Sequence, residues 1–118
     1  MALLLALELF GAPSCTGSAP LETELRRTDA LLADGRAGEA LAVLRPLAAA
    51  YPTDALLDRQ LARAYGALNR PAEEAAAWET FLRKSPASAD ACVRLGDLLL
   101  ANGEAARFVT VALECLRR

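Results

Sequence analysis

Asp29, Arg63 and Asp97 stand 34 residues apart, and opposite charges at matched sites can do one of two things. They neutralise one another as an ion-pair ladder, or they grip a charged ligand. The ladder is the expected outcome, because partners on adjacent helices meet before any ligand arrives and an exposed pair contributes at most about 1 kcal/mol. Thiol chemistry is the other option. Cys15, Cys92 and Cys115 are far apart and form no Cys-x-x-Cys pair, so neither a zinc cage nor a disulfide framework is indicated. Cys92 and Cys115 fall on apolar helical faces and are expected to be buried structural thiols, a disulfide between them being the less favoured alternative. The chain has no histidine, which removes the commonest general base and metal ligand. The scattered Ser, Asp and Arg residues form no nucleophile elbow, phosphate loop or carboxylate pair. No catalytic residue, metal or cofactor is therefore expected.

Composition narrows the elements that must carry these side chains. Hydrophobic residues make up 54% of the 118 residues and aromatics only 5%. The apolar content is thus mostly Ala and Leu, which favour helix, and an all-α fold follows. A net charge of −2 gives no attraction to phosphate backbones, so nucleic acid is not an expected partner. Lys84 is the lone lysine among 13 basic residues, an Arg bias that suggests a GC-rich, bacterial coding sequence.

Residues 1–20 read as a unit apart. MALLLALELF is apolar but too short to span a bilayer and is interrupted by Glu8; GAPSCTGSAP after it is a turn-rich linker. The pair is compatible with a secretory signal lacking its basic start, or with a short cytoplasmic helix. Cys15 follows small residues loosely as a lipidated cysteine does. A membrane association is expected only if this segment is lipidated or stays uncleaved. The chain is then envelope-associated or periplasmic, and otherwise cytoplasmic.

Residues 21–118 repeat at a period of 34. Gly35, Asn69 and Gly103 share the spacing, as do Pro52 and Pro86, and each of the first three sits where a helix end needs a left-handed residue. Apolar sites recur too: Leu31, Tyr65 and Leu99; Leu44, Trp78 and Ala112; Leu47, Phe81 and Cys115. Within the second unit Ala75, Trp78, Phe81 and Leu82 form one helical face. The pattern predicts helices at 21–34, 37–50, 54–68, 71–84, 88–101 and 104–117, in units 21–54, 55–88 and 89–118. Thr53 or Asp54, and Ser88, are the expected N-caps. Pro71 suits a first turn, whereas Pro46 falls inside a helix and should kink it.

Leu61-Ala62-x-x-Tyr65, the Asn69-Arg70-Pro71 turn, Trp78 and Pro86 together resemble a tetratricopeptide repeat. The resemblance implies a right-handed α-solenoid of about three helix-turn-helix units whose first helices line a concave groove, with peptide or helix binding as the activity. The groove positions it implies are Leu25, Asp29, Leu56, Arg59, Gln60, Arg63, Asp90, Val93, Arg94 and Asp97, with Glu22, Leu32 and Leu100 beside them. Of the family's clamp for acidic chaperone tails only Arg94 matches; Asp29 and Asp90 would repel a carboxylate. Two departures stand out. Ala40 is the small residue where paired helices approach, but Glu74 and Phe108 occupy the equivalent sites. Either packing loosens there or the register slips to bring in Ala75. In the first unit, Arg27 and Thr28 stand where Leu61 and Ala62 do in the second.

The expected function is a non-enzymatic protein-binding module. Two other readings stay open: a lipoprotein-like assembly factor of a secretion, pilus or envelope system, and a fragment of a larger enzyme. In the last helix Val109, Leu113 and Leu116 make a second apolar stripe beside the one that packs inward. It is the expected interface for a homodimer or for partner docking.

Overall fold

The computed structural model describes residues 19–117; Cys15 and the apolar segment 1–10, with the readings attached to them, lie outside the described residues. The fold is all-α. Among the described residues six helices follow one another, α1 (Ala19–Ala33), α2 (Ala37–Ala50), α3 (Ala55–Ala67), α4 (Pro71–Lys84), α5 (Ala89–Ala101) and α6 (Ala105–Leu116). Each packs on its neighbours in sequence, and α1 also reaches α3.

Local chemistry places the ends. Gly35, Asn69 and Gly103 have φ of 76°, 58° and 75°, and each closes the same pair of turn hydrogen bonds. The backbone N–H groups of Arg36, Arg70 and Glu104 reach the carbonyls of Leu31, Tyr65 and Leu99, while those of Gly35, Asn69 and Gly103 reach Leu32, Gly66 and Leu100. This satisfies carbonyls that a helix end would otherwise leave bare. Asp54 caps α3 by accepting from the Leu56 N–H at 3.0 Å, and Ser88 caps α5 by accepting from that of Ala91. Pro46 is tolerated inside α2 because it and Ala42, the residue whose carbonyl loses its N–H partner, both lie on the exposed face, where water can serve instead.

Two core clusters share α3. Leu57 and Ala64 of α3 pack with Leu41 and Leu44 of α2, while Ala62 joins Trp78, Phe81, Leu95, Leu98 and Leu99 on the other side. The indole of Trp78 meets the Phe81 ring edge-on at 5.7 Å.

The two departures from small residues are absorbed without a register slip. A Cβ on Gly66 would stand 3.1 Å from the Glu74 carboxyl group, and one on Gly96 equally close to the Phe108 ring. A glycine opposite each large side chain supplies the space that Ala40 needs no help to find. Both Glu74 and Ala75 are buried.

The expectation of free buried thiols is corrected: Cys92 and Cys115 form a disulfide, with Cα atoms 6.3 Å apart, inside the usual range. Cys92 lies eleven residues before Gly103 and Cys115 twelve after it. Two antiparallel helices joined at that turn therefore bring the pair level, a signal present in the sequence. The bond fastens α6, which has no fully buried residue of its own.

Candidate binding groove on the first helices

The face built by α1 and α3 is organised by four polar residues. Thr28, fully buried, donates its hydroxyl to the Leu25 carbonyl at 2.8 Å and accepts from the Gln60 amide at 3.4 Å. The same amide donates to Asp29 at 2.7 Å, and Arg63 donates to Asp29 at 2.8 Å and to the Gln60 carbonyl oxygen at 2.6 Å. Hydrogen bonds from Gln60 and then Arg63 hold the Asp29 carboxyl below its ordinary range. Thr28, an irregularity in the sequence pattern, is thus the buried end of a closed network.

The next step of the ladder is made differently. Asp97 is exposed and forms no ion pair among the described residues, whereas Arg94 turns to Glu74, donating from Nε at 2.7 Å and from Nη2 at 2.9 Å. Trp78 Nε1 donates to the same carboxylate at 3.0 Å. The Glu74 hydrogen bonds raise the Arg94 pKa above its ordinary value, with Asp97 adding to the effect. The ladder Asp29–Arg63–Asp97 is therefore half right. The physical reason is spacing: α1 and α3 lie side by side, but no Cα of α5 comes within 8 Å of one in α3, and Glu74 is the nearer anion.

Six of the groove positions surround one depression. Leu25, Asp29, Leu56, Arg59, Gln60 and Arg63 line a cavity of about 270 Å³ between α1 and α3. A second, of about 360 Å³, opens where α3 and α5 diverge, and its lining includes Leu32, Arg63, Gly66, Glu74, Trp78 and Arg94. Asp90, Val93 and Asp97 are exposed on α5 and line neither. Leu56 and Val93 are exposed apolar residues, and Arg59 has no ion-pair partner among the described residues. Glu74, which lines the second depression, was not among the expected positions; its signal was a large anion at a site of small residues, four positions before a tryptophan.

A third cavity, again about 360 Å³, lies between α4 and α6, floored by Leu82, Pro86, Leu95 and Val111. Its rim carries the Arg107–Glu79 ion pair. Among the described residues no cluster of three or more His, Cys, Asp or Glu side chains could hold a metal, and no helix is long and apolar enough to cross a membrane. No protein-family model matches the chain, and no curated protein matches it.

Proposed function

We propose that the chain is a non-enzymatic module of the tetratricopeptide type that holds a peptide or an amphipathic helix of another protein in the groove of α1, α3 and α5. One observation carries this reading: six residues that the tetratricopeptide resemblance implies as groove positions line a single depression. Asp29, Gln60 and Arg63 satisfy one another and keep its shape. Contact with the ligand then falls to Leu56 and Arg59, with Val93 further along, which suits a ligand that combines apolar anchors with a carboxylate.

Partner capture, with the partner identified by crosslinking and mass spectrometry in the native cell, is the assay. Leu56→Ser with Arg59→Glu should weaken capture roughly tenfold or more while leaving helicity unchanged. Undiminished capture would remove the groove as the site. Arg94→Glu is unsuitable for this purpose, because it would set a second carboxylate against buried Glu74.

The disulfide favours a second reading, an exported or envelope-associated assembly factor, since such bonds persist in oxidising compartments. Protein taken from its own cell and alkylated without reductant should leave Cys92 and Cys115 unlabelled. Full labelling of both would place the chain in a reducing compartment and end that reading.

A further inference from the structure

We propose that the Cys92–Cys115 bond is a site of thiol–disulfide exchange with a small thiol that carries a carboxylate and an ammonium group, free cysteine or a short cysteinyl peptide. The thiol seats between α4 and α6, attacks Cys115 and releases Cys92. The site is separate from the groove and does not depend on it.

Access is the first of three observations. Both cysteines are half-buried rather than enclosed. Cys115 stands in the wall of the cavity of about 360 Å³ between α4 and α6, whereas Cys92 does not. That volume falls within the roughly 300–1,000 Å³ of small-molecule sites. The face of α6 that lines it carries Thr110, Val111, Glu114 and Cys115, while Val109, Leu113 and Leu116 stay exposed on the opposite face. The cavity therefore does not depend on what covers that outer stripe.

Charge is the second. Arg107 in the cavity wall is paired with Glu79 and Glu104. Arg83 and Glu114 in the same wall form no ion pair among the described residues. Glu114 adjoins Cys115, and Arg83 lies in the last turn of α4. A free cation and a free anion around one apolar floor match the carboxylate and the ammonium group of a cysteinyl thiol.

Helix polarity is the third, and it sets the direction of attack. Cys92 lies in the first turn of α5, where unpaired backbone N–H groups stabilise a thiolate. Cys115 lies in the last turn of α6, where unpaired carbonyls disfavour one. Asp90 and Arg117, close by in sequence, oppose these effects, but both are exposed and screened by solvent. Cys92 is thus the better leaving group, and Cys115 the sulfur within reach.

The incoming thiol gives its proton to water, and its thiolate bonds to Cys115 Sγ. The S–S bond breaks, its electron pair leaves on Cys92 Sγ, and that thiolate takes a proton from water. A second thiol then attacks the incoming sulfur, which frees Cys115 as a thiol. Two small thiols are oxidised to one disulfide, and the disulfide of the chain is reduced.

The test treats the oxidised full chain, under native conditions, with cysteine, glutathione or uncharged β-mercaptoethanol. Early samples are quenched in acid, alkylated at low pH and mapped by mass spectrometry without reduction. The adduct should sit on Cys115 with Cys92 free, in roughly fivefold or greater excess over the reverse isomer. Arg83→Gln with Glu114→Gln, both at exposed positions, should slow cysteine or glutathione roughly fivefold relative to β-mercaptoethanol. Loss confined to cysteine assigns the site to the free amino acid, and loss confined to glutathione assigns it to a peptide. Circular dichroism verifies that the variant is folded. An adduct on Cys92, an even mixture, or a variant that slows all three thiols alike overturns the proposal. So does a bond that exchanges only once urea has unfolded the chain.

Discussion

Glu74 occupies the site that Ala40 fills one unit earlier, and its burial depends on three other residues. Gly66 leaves room for the carboxyl group, Trp78 donates to it and Arg94 neutralises it. Removing Arg94 leaves an anion with one donor in a nearly dry site. Arg94→Ala should therefore cost about 2 kcal/mol in a urea titration, less than a fully enclosed pair would because the guanidinium is half exposed. In a Glu74→Gln background the same substitution should cost less than half as much, since no buried charge is left behind. An equal cost in both backgrounds would mean that Arg94 acts through packing alone. Asp29 gives a prediction in pH. Its folded-state pKa is lowered by Gln60 and Arg63, so its contribution is present above the unfolded value of about 3.9 and lost as pH falls through the lower folded value. The stability gap between the unmodified chain and Asp29→Asn should be open at pH 6 and close on acidification below about pH 4. A gap that stays constant to low pH would show that the carboxylate charge contributes nothing.

The helices were legible because their boundaries rest on local chemistry. Gly35, Asn69 and Gly103 need only their own backbone geometry, and Asp54 and Ser88 need only the next turn. The boundaries of α6 were equally legible, its start set by Gly103. Its attachment rests on the disulfide, whose cysteines flank Gly103 at matching distances, and on two contacts that no neighbouring residue announces, Phe108 against Gly96 and the Arg107–Glu79 pair. The bond closes a segment with a sequence separation of 23, for which loop-closure entropy gives a stabilisation of about 3 kcal/mol. Cys92→Ser with Cys115→Ser should lose about that much. Hydrogen exchange should locate the loosening in Ala105–Leu116, with α3 and α4 still protected. Uniform loss of protection would mean that α6 unfolds only with the rest.

Across the whole molecule, two cores lean on opposite sides of α3, so damage to one reaches the other. Trp78, 9% exposed, anchors the core between α3 and α5. Trp78→Ala should cost about 3–5 kcal/mol and shift a single cooperative transition rather than split it. A biphasic melt would show two independent halves. That Leu25, Asp29, Leu56, Arg59, Gln60 and Arg63 share one depression was legible in sequence where α1 and α3 run side by side, and the continuation to Asp90, Val93 and Asp97 was lost where α5 moves away from α3, because that divergence depends on contacts between units. The turns carry a further consequence. Arg36 pairs with Glu39 and Arg70 with Glu73, but in the third turn the signs are exchanged and Arg107 pairs with Glu104. Residue-by-residue comparison of the units scores two mismatches there, although the molecule keeps one bond. What is copied from turn to turn is a product of two charges, a quantity invisible to any comparison that reads one position at a time.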